Sequence, residues 1–125
     1  MIHAGIDLVN IDKIKKVLAR QKTTILKRVC TTDEIKFLKL QKREAEKFAA
    51  YWGLKEAFSK ALGTGIGQDL SFQDIQITYT KLGQPKIKYV GQRFNKNSKK
   101  WNYSCSVSHQ DQWLVAIVII MGEIK

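Results

Sequence analysis

The 125-residue sequence has few cysteines, one proline and no long hydrophobic run. Its two cysteines, Cys30 and Cys105, fit no CxxC or Cys/His spacing, so neither a zinc site nor a disulfide scaffold is expected. The longest apolar run, Trp113–Met121, is about half the length that a membrane helix needs. The stretch Met1–Asn10 lacks the basic start of a signal peptide. We therefore expect one cytoplasmic domain over residues 1–125 with no membrane partner.

Acidic residues are scarce relative to basic ones. The chain has 22 Lys and Arg against 11 Asp and Glu, a formal net charge of +11. This excess indicates an anionic partner, such as RNA, a phosphorylated small molecule, an anionic lipid surface or an acidic protein. Residues 11–30 hold seven of the basic residues and one acid, and residues 81–100 hold another seven and no acid.

Hydrophobic periodicity in the first half of the chain predicts one strand and then helices. Ile2–Val9 suits a short strand, and a short basic helix is expected from Ile11. Thr31 or Thr32 is placed to cap a second helix. The longest helix is predicted from about Arg43 to Leu62, with Gly63 as its C-cap and an apolar stripe at three- and four-residue steps. That stripe consists of Phe48, Tyr51, Leu54, Phe58 and Leu62.

The second half of the chain changes to a period of two, which indicates strands. Ile75–Tyr79 and Lys86–Val90 flank a turn and predict a β-hairpin, and Gly91–Lys100 is expected to be a basic loop. Trp101–His109 alternates again, and Trp113–Met121 is expected to be a strand buried on both faces. The order predicts an α+β domain, with an antiparallel sheet packed on one long helix and short N-terminal helices.

The glycines after the long helix invite a nucleotide-binding interpretation. Gly63, Gly65 and Gly67 fail it, because no Lys-Ser/Thr follows them and because the turn comes after the helix rather than before it. A helix C-cap and turn is one explanation. The other is backbone that must pass close to a bulky ligand.

Three charged residues are candidates for chemistry. Glu56 and Lys60 are four residues apart and share one helix face, either as a surface ion pair or as a functional pair. Asp7 lies in an apolar strand, where an acid is costly unless it is paired, caps a helix or binds a metal. Asp7 and Glu56 would supply the sparse carboxylate ligation that Mg²⁺ accepts when phosphates complete its shell. Spacing alone does not bring the two together.

His109 ends a predicted strand beside Ser108. A single histidine at such a position is commonly structural, but the aromatic residues on the same face also suit a ligand contact. The chemistry of His109 therefore stays open at this point.

Several blocks resemble holo-[acyl-carrier-protein] synthases in order and spacing over nearly the whole chain. They are Gly5-Ile6-Asp7-Leu8, Phe48-Ala49-Ala50, Lys55–Ala61 running into Gly63–Gly67, Leu70–Ile75, Gly83-Gln84-Pro85 and Ser106–His109. The resemblance implies a 4′-phosphopantetheinyl transferase fold and a homotrimer with active sites between subunits. The implied activity moves phosphopantetheine from coenzyme A to a serine of acyl carrier protein in fatty acid biosynthesis, with Mg²⁺ as cofactor and no nucleic acid as partner.

Residue roles follow from the same resemblance. Asp7 and Glu56 align with metal ligands, and both are expected to be catalytic together with Lys60. Coenzyme A contacts are expected from Lys60, Gly63, Gly65, Pro85, Ser108 and His109, with His109 acting from the neighbouring subunit. Carrier-protein docking is expected from the basic first helix, at Lys13, Lys16, Arg20 and Lys22.

The chain departs from the family pattern at Tyr51, where relatives commonly have an arginine. Two alternatives to an active transferase remain. One is a non-enzymatic RNA-binding module, favoured by the basic run Lys96–Lys100 and by aromatic Trp101 and Tyr103. The other is a degenerate transferase that serves only as a trimeric binding protein.

Overall fold

Two antiparallel sheets frame the computed structural model, which describes residues 1–125. The larger sheet has strand order β1-β5-β4, with β1 at Ile2–Asn10, β4 at Asn102–Gln110 and β5 at Trp113–Met121. The smaller is a hairpin of β2, Ile75–Tyr79, and β3, Pro85–Tyr89. The periodicity predicted these strands but not the division of the sheet into two parts.

Three long helices lie between β1 and the hairpin: α1 at Ile11–Val29, α2 at Thr32–Lys39 and α3 at Glu44–Leu62. Non-helical backbone at Gln21 (φ −147°, ψ 48°) divides α1 into two helical segments across a kink. The expectation of a short basic helix from Ile11 therefore describes the first of these segments.

The remaining helical segments are short. A 3₁₀ turn at Phe72–Asp74 precedes β2, and a helical turn α4 occupies Asn95–Ser98. The predicted basic loop Gly91–Lys100 is therefore partly helical. No helix of the chain has the length and hydrophobicity needed to cross a membrane.

Helix α3 packs on β1 and β5, and all five residues of the predicted apolar stripe are buried. Gly63 ends the helix with the left-handed backbone (φ 89°) expected of a C-cap. At Gly5 of β1, a Cβ atom would collide with the backbone of Ala57 and Ala61. The strand can lie this close to α3 only because residue 5 has no side chain.

The larger sheet is covered on one side only. The expectation that β5 is buried on both faces is wrong: its residues alternate between buried and partly exposed, since α3 shields one face and nothing in the chain shields the other. We call the uncovered side the open face. Its large apolar side chains, all exposed, are Ile2, Ile6 and Leu8 from β1 and Trp113, Ile117 and Met121 from β5.

Candidate active site

Asp7 and Lys60 meet where α3 crosses the edge of β1. The Lys60 ammonium donates to Asp7 Oδ1 at 3.1 Å and to the carbonyl oxygen of Ile6 at 3.0 Å. Asp7 does not cap α1, because the Asn10 side chain does so by accepting from the Lys13 amide. The interpretation of Glu56 and Lys60 as a simple surface ion pair is also wrong, since the salt bridge of Lys60 is to Asp7.

Glu56 faces Asp7 across one cavity of about 310 Å³. The structure thus brings together the two carboxylates that the sequence could not place. Trp52 and Lys13 lie on the wall, and the rest of the lining comes from β1 and α1 at Leu8, Val9, Asn10, Ile14 and Val17. The site is therefore two acids and a lysine beside a largely apolar recess.

The electrostatics of this site are unfavourable for two bare carboxylates. Burial and then the charge of Asp7 raise the pKa of Glu56, whereas Lys60 and Arg28 act in the opposite direction. Arg28, at the end of α1, was missed by the sequence analysis. No signal in its spacing links it to Glu56, because the two meet only through the packing of α1 on α3.

The donor set at Asp7 and Glu56 fits a hard divalent cation. Two carboxylates in one cavity supply oxygen ligands and gain from a cation that neutralises their repulsion. No group of three or more His, Cys, Asp or Glu side chains is arranged to hold a metal ion. A cation here would therefore take its remaining ligands from water and from substrate oxygens.

A second pocket, of about 200 Å³, lies beside β4 and the β2–β3 turn. It brings together two of the predicted coenzyme A residues, Pro85 and His109, beside Gly83. Its other lining residues are Glu46, Lys47, Ala50, Tyr79, Val107 and Leu114. We call it the His109 pocket.

The other four residues predicted to bind coenzyme A, with Lys60 described above, lie outside that pocket. Ser108 alternates with His109 along β4 and so belongs to the open face. Gly63 and Gly65 form the turn after α3 with φ of 89° and 67°, and space is open where a Cβ atom would stand.

The two sites lie on opposite sides of α3. Lys47 and Glu56 are about 180° apart around the helix, at roughly 100° per residue. Asp7 of β1 and Val107 of β4 both pair with Ala116 of the intervening strand, which separates β1 from β4 by about 10 Å. Within one chain, His109 therefore does not face the Asp7–Glu56 cavity.

The predicted docking residues divide at the kink of α1. Lys13, Lys16 and Arg20 are exposed and follow one helix face at three- and four-residue steps. Lys22, beyond the kink, is held by a 2.8 Å ion pair with Glu44 at the start of α3. The structure thus brings three of the four residues onto one surface and not the fourth.

Tyr51 takes a different place from that of a ligand-contacting arginine. It is buried, and its ring packs on Phe37 at 6.3 Å and on Tyr79 at 6.1 Å between centroids. This aromatic cluster joins α2, α3 and β2.

A buried ion pair next to Glu56 in sequence also escaped the sequence analysis. Lys55 and Glu34 are 2.6 Å apart, with side chains 0% and 1% exposed. The ammonium also donates to the carbonyls of Val29 and Phe72, and the carboxylate accepts from the amides of Thr31 and Ile77. The sequence predicted only that Thr31 or Thr32 caps a helix; the Thr31–Glu34 capping box and its lysine partner are seen in the structure.

Comparison with known proteins assigns the chain to a family. The model of the family described as the 4′-phosphopantetheinyl transferase superfamily matches residues 3–118. The chain therefore belongs to the 4′-phosphopantetheinyl transferase superfamily.

Its relatives within that superfamily share one name. A holo-[acyl-carrier-protein] synthase of Chloroherpeton thalassium is 39% identical over 119 residues, which cover 95% of this chain and 97% of the relative. One of Staphylococcus haemolyticus is 44% identical over 95 residues, covering 73% and 80%. The solved Helicobacter pylori holo-[acyl-carrier-protein] synthase in complex with coenzyme A has a TM-score of 0.82 and 34% identity, covering 97% of this chain and 100% of that one.

These matches place the chain among the holo-[acyl-carrier-protein] synthases and confirm the α+β fold class. It is a transferase. The alternative of a non-enzymatic RNA-binding module is set aside by this membership.

Proposed function

We propose that the chain transfers 4′-phosphopantetheine from coenzyme A to a serine of apo acyl carrier protein, with Mg²⁺ as cofactor. The products are the holo carrier protein and adenosine 3′,5′-bisphosphate. The observation that carries the proposal is that Asp7 and Glu56 line one cavity, with Lys60 paired to Asp7, in a chain of this family. The Helicobacter pylori relative in complex with coenzyme A supports the donor substrate.

The reaction replaces one P–O bond by another. The serine oxygen attacks the phosphorus that carries the pantetheine arm, and the bond to the bridging oxygen of the diphosphate breaks. Glu56, directly or through a water, accepts the serine proton. Lys60 neutralises or protonates the departing phosphate oxygen. Bound at Asp7 and Glu56, Mg²⁺ would neutralise charge on the diphosphate oxygens.

The active assembly is proposed to be a homotrimer with sites between subunits. Two features of one chain support this. The open face exposes a continuous apolar surface, which is typical of an interface. The His109 pocket and the Asp7–Glu56 cavity lie on opposite sides of α3, so one coenzyme A molecule reaches both only when they come from different subunits.

The carrier protein is proposed to dock on α1. Acyl carrier proteins are acidic, and Lys13, Lys16 and Arg20 form an exposed basic row that ends at the Asp7–Glu56 cavity through Lys13. Lys22 contributes less than the sequence suggested, because it is paired with Glu44. The reaction is proposed to belong to fatty acid biosynthesis in the cytoplasm, and the two free thiols suit such a reducing compartment.

The test is a transfer assay that follows the mass of an apo acyl carrier protein incubated with coenzyme A, Mg²⁺ and the enzyme. We expect a gain of one phosphopantetheine. Glu56→Gln should lower kcat by about a thousandfold, because it removes the base and a metal ligand. The exposed Glu123→Gln, which makes the same chemical change elsewhere, is the control and should retain parent activity.

Each proposal fails on a distinct result. Absence of transfer by the parent protein, under conditions where a known synthase works, leaves only the degenerate binding protein. Parent activity in Glu56→Gln would contradict the assigned base while leaving the transfer reaction intact.

A further inference from the structure

Lys86 and Lys88 of β3 belong to a basic segment that the proposed reaction leaves without a role. Residues 81–100 contain seven basic side chains and no acid. Both lysines are exposed, and neither forms an ion pair. Their charges are therefore free to meet a partner of opposite sign.

The two lysines share the outer face of the β2–β3 hairpin with two uncharged polar residues. Lys86 is opposite Thr78, and Lys88 is opposite Gln76. Because opposed residues of an antiparallel pair lie on the same side of the sheet, the four side chains surround one groove of about 160 Å³. We call it the hairpin groove.

The charge around the hairpin groove is mainly positive. No acid lines the groove itself. A separate cavity on the other side of β2 contains Asp33 and Glu34, and Glu34 is already neutralised by its buried ion pair. Three further exposed lysines follow β3: Lys96, Lys99 and Lys100. They strengthen the attraction of the hairpin for an anion at longer range.

The side chains of the groove favour phosphate oxygens over a protein or a lipid surface. Lysine, threonine and glutamine are among the side chains that donate hydrogen bonds to the phosphates of nucleic acids. The core of a protein interface is poor in lysine and rich in aromatic residues, and helices that lie on membranes insert apolar side chains. The one apolar residue of the groove, Ile87, is only 5% exposed.

The aromatic residues nearby are not placed to stack on bases. Trp101 is buried and donates from its indole to the carbonyl of Glu123. The hydroxyl of Tyr103 accepts from the Tyr89 amide, and its ring packs on Phe58. A nucleic acid at the hairpin would therefore be held by its backbone and not by its bases.

We propose that the hairpin groove binds the phosphate backbone of nucleic acid without reading its sequence. The family resemblance led us to expect no nucleic acid partner, so this surface is an addition to the transferase and not an alternative to it. The proposal does not depend on the proposed reaction.

The experiment measures binding of a short, fluorescently labelled DNA duplex of mixed sequence by anisotropy over a series of salt concentrations. Saturating coenzyme A is present to occupy other phosphate sites. We expect the double variant Lys86→Gln with Lys88→Gln to bind about tenfold more weakly and to reduce the slope of log affinity against log salt by about two, one per lost phosphate contact. A second duplex of different sequence should give the same values.

The matched control is Lys36→Gln with Lys39→Gln, which removes the same charge from exposed positions on α2 and should keep the parent slope. Turnover with coenzyme A should be unchanged in both double variants, since none of these lysines lines the Asp7–Glu56 cavity or the His109 pocket. Equal losses of duplex binding in both variants would make net charge alone responsible and overturn the proposal, as would a parent protein that does not bind the duplex. Tighter binding to phosphatidylglycerol vesicles, dependent on Lys86 and Lys88, would identify a lipid surface instead.

Discussion

Two lysines on α3 form ion pairs with carboxylates, and the pairs differ in almost every other respect. The Lys55–Glu34 pair is 2.6 Å long and fully buried, and backbone groups from α1, α2, the 3₁₀ turn and β2 complete its hydrogen bonds. The Lys60–Asp7 pair is 3.1 Å long, and the Lys60 side chain is 53% exposed at the edge of a cavity. Only five residues separate the two lysines in sequence.

The difference teaches that burial, and not the type of ion pair, separates a structural role from a chemical one. A buried pair with every donor and acceptor satisfied holds its elements together and cannot exchange partners without a large cost. In the Lys60–Asp7 pair the Asp7 side chain is mostly buried, at 14% exposed, but the Lys60 side chain remains accessible to a substrate. The one helix therefore serves both purposes through residues on different sides of its axis.

Loss of the buried lysine should have the largest effect. Lys55→Met strands the Glu34 carboxylate in the interior, and breaking a buried pair in this way costs about 3–5 kcal/mol of stability. Urea unfolding measures this loss. The double variant Glu34→Gln with Lys55→Met is the control and should recover part of it, because no charge is then left buried. A single variant as stable as the parent would show that the pair is not structural.

The reactivity of the buried Cys30 thiol reports whether water reaches the interior around Lys55 and Glu34. Burial raises its pKa from 9.0 to about 12, even though neighbouring Lys55 acts in the opposite direction. In a Cys105→Ser background, a thiol reagent at pH 8 should react with native Cys30 about a thousandfold more slowly than with the unfolded chain, from thiolate content alone. Since the native thiol keeps its proton when the unfolded one loses it, Cys30 should also lower stability as the pH rises from about 9 to about 12. Rapid native labelling would mean that water reaches the pair.

Loss of Lys60 should lower turnover more than stability, the reverse of what is expected for Lys55. Lys60→Ala is expected to lower kcat by about a hundredfold, since it removes the group that neutralises the leaving phosphate. Its effect on the free energy of unfolding should be smaller than that of Lys55→Met, because the Lys60 side chain is half-exposed whereas Lys55 is fully buried. If Lys60→Ala loses stability but keeps its kcat, Lys60 has a structural role like that of Lys55, and the prediction is wrong.

The smallest effect is expected on the surface of α1, where charges have no fixed partner. Arg20→Glu should raise KM for the carrier protein several-fold at low salt, with a smaller change at high salt because exposed charges are screened. The KM for coenzyme A should change little. An equal rise in both constants would argue against docking on this helix.

Much of this molecule was accessible from the sequence, and the parts that were not share a physical cause. The apolar stripe and cap of α3, the hairpin and a helix cap at Thr31 or Thr32 are local patterns, and the sequence predicted them. The partners of Lys55, Lys60 and Arg28 depend on contacts between elements distant in sequence, which no spacing encodes. The exposure of β5 was missed for a related reason: its apolar run has the same pattern whether its second face is covered by its own chain or by another.

The placement of the His109 pocket and the Asp7–Glu56 cavity on opposite sides of α3 has a consequence for mixed populations of chains. In the proposed trimer, each site would take Glu56 from one chain and His109 from the next. A chain defective only at Glu56 and a chain defective only at His109 would then each be inactive alone but complement one another when mixed. In equal random mixtures about one site in four would have both functional halves. In such an assembly, a loss of function is a property of the pairing of chains rather than of a single chain.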